Sequence, residues 1–292
     1  MKRPLDNEYD NEYDNEYDNS RSVDLEQVPK DFRDRHTRKF GEAISHILKV
    51  DPTLLHIIVK QDFPLFLEKE QEPQTVAHHY AKLASAILSQ QISGAAARSI
   101  KARLMKNYND EFPTHLQLHE DFQQPSGRER IRSCGLSARK VTYLESLTDY
   151  FINNEEEIER LFSGEDNDDE IVQKLTENIK GIGPWSAKMF LVTGLGRYNV
   201  FAVEDLGLAR GCSNYLSNKP ELVEKLTKSR VAAKRSKIKH KKLNWKIYDD
   251  DLVELCAERF APYKTVLMFI FWRLSSTSVE AMEKNETNFV NK

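Results

Sequence analysis

A chain of 292 residues with 39% hydrophobic content holds enough apolar material for one large domain or two small ones around a substantial core. Its three cysteines, Cys134, Cys212 and Cys256, are too few and too scattered for a disulfide framework, and they cannot supply the four thiolates of an iron–sulfur cluster. No apolar run reaches membrane-spanning length and no signal-peptide core is present, so a soluble protein of a reducing compartment, with no membrane partner, is expected.

The net charge of −3 is unevenly spread. Residues 1–29 hold three basic and nine acidic residues, including three tandem copies of NEYD from Asn7 to Asp18. Such a segment cannot bury enough apolar surface to fold and is expected to be a disordered tail. The remainder carries 40 basic and 37 acidic residues, a mildly basic body.

From about Pro29 the apolar spacing is helical. The stretch "GEAISHILKVDPTLLHIIV" predicts two short helices broken at Asp51-Pro52, where proline stops the first. "VAHHYAKLASAILSQQIS" places Val76, Tyr80, Leu83, Ala84, Ile87 and Leu88 at helical intervals; its adjacent His78 and His79 suit a solvated helix face better than a metal site. Ser93 and Ser137 stand where N-caps belong, ahead of two further helices. "DDEIVQKLTENI" puts Ile171, Val172, Leu175 and Ile179 on one face, and "WSAKMFLVTGL" continues helical. The stretches "VEDLGLARGCSNYL", "DDLVELCAERF" and "YKTVLMFIFWRLSS" follow. No run alternates with period 2 over a convincing length, so an all-α fold of roughly ten helices is predicted.

Between two of these helices lies "KGIGPW", with Gly181 and Gly183 around one isoleucine and Pro184 suited to a first helical position. Three readings compete. The first is a plain helix–helix turn with C-capping glycine. The second, a dinucleotide fingerprint with Asp205 downstream, fails because a helix precedes it and Ser186 takes the third glycine position. The third is a helix-hairpin-helix that offers backbone N–H groups to a phosphate. Further on, Lys228 to Lys246 carries nine basic residues and no acidic one. That block reads as a solvated loop, a phosphate-contacting loop or a nuclear localisation signal.

In chain order, "LSQQIS", "CGLSARKVTYL", "IKGIGPWSAKMF", "VFAVEDLGLARG" and "FAPYKTVLMFIFWRL" resemble the helix-hairpin-helix superfamily of DNA glycosylases, and within it the fungal 3-methyladenine type. The likeness runs from about residue 30 to 276, leaving residues 277–292 as a C-terminal tail. It implies two helical subdomains with the active-site cleft between them. It implies Asp205 as the catalytic carboxylate, in preference to its neighbour Glu204. Gln91 aligns with the residue that plugs the gap left by a flipped base, and Trp185 and Trp272 with base-stacking aromatics. Met189 stands where the family has a further aromatic. Gly181, Gly183, Ser186 and Lys188 would hold the DNA backbone. A monovalent cation on the carbonyls of Glu177, Ile179 and Ile182 is also implied, with no other cofactor required.

The chemistry fits these residue types. An alkylated purine such as 3-methyladenine or 7-methylguanine is cationic, so an indole face attracts it and it leaves readily. The nucleotide must be flipped out of the duplex, and one carboxylate near a helix N-terminus can stabilise the sugar cation. In strand-cleaving members the slot two residues after the second hairpin glycine holds a Schiff-base lysine; here it is Trp185, so a monofunctional hydrolase acting as a monomer on double-stranded DNA in the nucleus is expected. The competing expectation is a helix-hairpin-helix protein that binds DNA without catalysis.

Overall fold

The architecture follows from where proline, glycine and capping side chains interrupt a nearly continuous helical pattern. The computed structural model describes residues 27–70, 74–164, 167–238 and 245–275. The acidic tail up to residue 26, the middle of the basic block and the C-terminal tail lie outside them.

In chain order the helices are α1 (Lys30–Arg35), α2 (Arg38–Val50), α3 (Leu55–Ile58), α4 (Val76–Ser89), α5 (Gly94–Met105), α6 (His115–Gln123), α7 (Gly127–Ser133) and α8 (Ala138–Asn153). There follow α9 (Glu155–Ser163), α10 (Asp168–Asn178), α11 (Pro184–Thr193), α12 (Leu206–Leu216), α13 (Pro220–Ser229), α14 (Asp250–Glu258) and α15 (Lys264–Ser275). No strand occurs among the described residues beyond one isolated bridge between His36 and Leu67. The all-α expectation holds, with more helices than the roughly ten expected. The extra ones are short and weakly apolar, and their signals are local: Thr114 and Gln117 form a capping box at the head of α6, and Pro220 opens α13.

Ser93 and Ser137 cap α5 and α8 through their side chains as expected. Asp51 stops α2 and caps the 3-10 turn Pro52–Leu54 that leads into α3.

The helices sort into two packed groups. The contiguous run α4–α11 forms one, with α8 packed against α4, α6 and α7, and α10 against α11. The other is assembled from both ends of the described chain, with α15 packed against α2, α3, α12 and α14. Helix α15 is apolar around its whole circumference, with Val266 to Phe271 fully buried. Its closest neighbour is α12, and Gly211 permits the approach, since a Cβ there would lie 2.0 Å from the Phe271 carbonyl oxygen. Beyond it, the buried Arg273 guanidinium donates to the carbonyls of Ile58 and Gln61 at 3.0 Å each and of Asp62 at 2.8 Å, and lies over the Phe63 ring. The bond to Ile58 satisfies a carbonyl that the end of α3 leaves open, and those to Gln61 and Asp62 hold the turn that follows it. They also fix α15, and with it Trp272, against the N-terminal helices.

Candidate active site

Helix α10 ends at Asn178 and the chain turns through Ile179–Gly183 into α11. Gly181 has φ +86°, and a Cβ on it would sit 2.2 Å from the Tyr143 ring, so both backbone and space demand glycine. The Ile182 N–H donates to the Ile179 carbonyl at 3.2 Å and closes the hairpin. Gly183 is the N-cap of α11 and offers no side-chain cap, while Pro184 takes the first position. The N–H groups of Trp185 and Ser186 therefore meet no capping side chain, and helix geometry gives them no intrahelical acceptor. An uncapped helix N-terminus at an exposed hairpin is a phosphate-binding arrangement.

Asp205 is the N-cap of α12, as its position suggested, yet it does more than cap. Its Oδ1 accepts from the Leu208 N–H at 2.9 Å and from the Trp272 indole N–H at 3.0 Å. Its Oδ2 accepts from the Trp185 indole N–H at 2.9 Å. Both tryptophans thus turn their polar edges to one carboxylate. Trp272 is half-buried and packs edge-on against Phe269, whereas Trp185 is 37% exposed. Oδ1 is held by the protein interior, and Oδ2 is held by a side chain open to solvent.

Trp185 also lines a cleft of about 820 Å³ together with Met189, Ser186, Gly181 and Gln91. Neither Trp272 nor Asp205 is among the lining residues, all of which come from the α4–α11 group, so this cleft lies within one helical group and not between the two as expected. Of the three expected pocket walls, Trp185 and Met189 therefore face the cleft, and Trp272 stands behind the carboxylate. Gln91 is exposed in the turn between α4 and α5, with φ +57°, a left-handed conformation that a non-glycine residue adopts only under constraint. Lys82, Arg139 and Lys140 also line the cleft and give it a basic wall; the motif "SARKVTYL" carried the last two, but only the fold shows which way they face. Burial pushes the Lys140 ammonium below its ordinary value, and its Nζ donates to the Leu88 carbonyl at 2.6 Å.

Two expected DNA contacts have internal partners. Lys188 forms an ion pair of 2.9 Å with Glu204, the carboxylate passed over in favour of Asp205. Much of the described part of the basic block is also paired: Lys228 with Glu224, Arg230 with Asp249 and Asp251, and Lys234 with Glu254. Arg235 and Lys237 are exposed, and residues 239–244 lie outside the described residues. Of the carbonyls named for a cation, that of Ile179 accepts from the Ile182 N–H. Open carbonyls at the end of α10 are oxygen donors of the kind a monovalent cation takes. Among the described residues no group of three or more His, Cys, Asp or Glu side chains could hold a metal, and His79 is buried beside Phe162 and Phe190 instead of forming a solvated face with His78.

Two all-helical groups, a glycine hairpin that feeds a bare helix N-terminus and a capping aspartate bonded to a tryptophan of the cleft make up a helix-hairpin-helix architecture suited to DNA. The chain belongs to the HhH-GPD superfamily of base excision DNA repair proteins, whose family model matches residues 84–236. It is 54% identical over 263 residues to a DNA-3-methyladenine glycosylase of Saccharomyces cerevisiae, covering 90% of this chain and 89% of the relative. It is 31% identical to DNA-3-methyladenine glycosylase 1 of Schizosaccharomyces pombe, over 67% of this chain and 72% of that one. Among solved structures it is similar to an S. pombe 3-methyladenine DNA glycosylase in complex with abasic DNA, with 26% identity, a TM-score of 0.53, and coverage of 79% and 95%. The fold is shared with a DNA-3-methyladenine glycosidase from Bacillus halodurans, with a TM-score of 0.58 over 82% of this chain and 91% of that one.

Proposed function

We propose that this protein is a monofunctional DNA-3-methyladenine glycosylase that flips alkylated purines from duplex DNA and hydrolyses the N-glycosidic bond. The observation that carries the reading is Asp205, a carboxylate with Oδ1 fixed by two interior donors and Oδ2 reached through the half-exposed Trp185.

The hairpin N–H groups, with Gly181, Gly183 and Ser186, grip a phosphate beside the lesion, and Gln91 fills the vacated stack. The flipped cationic base enters the cleft against Trp185 and Met189, where the indole face attracts its charge. Swinging to meet the base releases the Trp185 N–H from Oδ2 and turns that oxygen towards the sugar. As the C1′–N bond breaks, the alkylated purine leaves as a neutral base and the positive charge passes to the sugar, which the Asp205 carboxylate stabilises. Water adds at C1′ and loses its proton, leaving an intact abasic strand. Trp272 keeps Oδ1 oriented throughout. With Trp185 in the lysine slot and Lys188 tied to Glu204, neither of these positions presents an amine to C1′.

A monovalent cation on the carbonyls of Glu177, Ile179 and Ile182 would stiffen the hairpin against the phosphate. The protein acts as a monomer in the nucleus. Arg235 and Lys237 are the described residues of the basic block best placed for phosphate contact, since their neighbours are paired within the fold.

Purified protein incubated with methylated duplex should release 3-methyladenine and 7-methylguanine and leave alkali-labile abasic sites. Duplex binding without base release would establish the non-catalytic reading instead.

A further inference from the structure

The turn that carries Gln91 is tied down at two points that the reaction scheme does not use. Its neighbour Gln90 caps the C-terminus of α4 and donates from Nε2 to the Gly181 carbonyl at 2.8 Å, across 91 residues of sequence. Lys140, from α8, donates from Nζ to Leu88, a carbonyl in the last turn of α4, where a cation also favours the helix dipole. Between these ties and the start of α5, Gln91 holds φ +57°. A non-glycine residue in that region is strained and persists only where its surroundings over-determine it.

Gly181 is the residue at which the hairpin turns, three positions before α11 begins. One amide therefore spans from the turn that carries the plug to the turn that grips the phosphate. We propose that Gln90 is a positioning residue that sets the distance between plug and phosphate clamp, so that seating the hairpin on the backbone drives Gln91 into the stack at the adjacent nucleotide. This rests on the glycosylase reading above. The mechanical logic is that of a rigid two-point gauge: a shift of about 1 Å in a positioned group is enough to cost orders of magnitude in rate.

The test uses the full-length protein and a duplex containing 7-methylguanine, with 2-aminopurine beside it to report unstacking. Gln90→Met keeps length and volume but removes the donor, and Gln91→Ala removes the plug. Each is expected to slow unstacking and single-turnover release about tenfold, and the double variant should be no slower than either alone, because the two residues act as one unit. Affinity for undamaged duplex and the thermal midpoint should stay near wild type in Gln90→Met. Wild-type release by Gln90→Met beside an impaired Gln91→Ala would overturn the gauge and leave the glycosylase reading intact. Multiplicative slowing in the double variant would overturn it too, by showing that Gln90 acts independently. Absence of release by the wild-type protein would overturn the glycosylase reading and this inference together.

Discussion

Asp205→Asn isolates the charge of the proposed catalytic group. Asparagine is as good an N-cap as aspartate, so its Oδ1 can keep both the Leu208 N–H and the Trp272 indole. Its Nδ2 then faces the Trp185 N–H, a donor opposite a donor across a position now spanned by 2.9 Å. Two consequences follow. Trp185 is pushed off the side chain, which should be visible as a change in tryptophan emission. The transition state loses the negative charge beside C1′, an effect of about 3 kcal/mol or more, or a fall in rate of over a hundredfold. Removal of a negative charge near phosphates should leave duplex affinity unchanged or raised. Folding should suffer little, by about 1 kcal/mol, because the cap survives. Single-turnover release from methylated duplex, a binding titration and a urea melt read the three quantities. Release within tenfold of wild type would refute the assignment of Asp205.

Borohydride added during turnover should trap no covalent protein–DNA adduct; a strong trapped band would show an amine, such as Lys188, reaching C1′. Gly181→Ala must place a side chain at φ +86° and inside the Tyr143 ring, which should cost about 2 kcal/mol or more in urea and weaken duplex binding; a change under about 0.5 kcal/mol would contradict the geometry. Acid should also destabilise the fold. Burial lowers His36, His46 and His115, and takes His79 down to about 4, so the unfolded chain binds protons that the folded one refuses. Stability is therefore complete above about pH 6.5 and falls as the pH drops towards 4; for His79 alone the loss at pH 5 is about 2 kcal/mol, and equal urea midpoints at pH 7 and pH 5 would exclude it.

The parts of the fold that depend on near neighbours in sequence were open to reading. Capping at Ser93, Ser137 and Asp205, the break at Asp51-Pro52 and the glycine hairpin are all decided within four residues. What was closed is long-range pairing. Trp185 and Trp272 lie 20 and 67 residues from Asp205, and nothing in either segment says that their N–H edges converge on it. Stacking on a base was the role the resemblance supplied; the structure adds the carboxylate contact and moves Trp272 out of the cleft lining. Charge misled in the same way. Within the run of nine basic residues, only the fold shows that Asp249, Asp251 and Glu254 at α14 take up Arg230 and Lys234. The short helices α7 and α9 escaped because only a few apolar positions in each carry the pattern.

The buried guanidinium of Arg273 has a consequence for how the molecule is made. Its carbonyl partners, Ile58, Gln61 and Asp62, emerge from the ribosome more than 200 residues before it does. At about 5–20 residues per second, those carbonyls and the face of Phe63 wait roughly 10–40 seconds for their donor. The contiguous α4–α11 group needs no such delay and can consolidate while synthesis continues. A message cut short ahead of α15 would thus yield a chain with its hairpin in place but without Trp272 to orient Asp205 or Arg273 to close the flanking helices. Translation thus completes the hairpin group first and the surroundings of the Asp205 carboxylate last, so the proposed DNA grip stands before the proposed catalytic centre is whole.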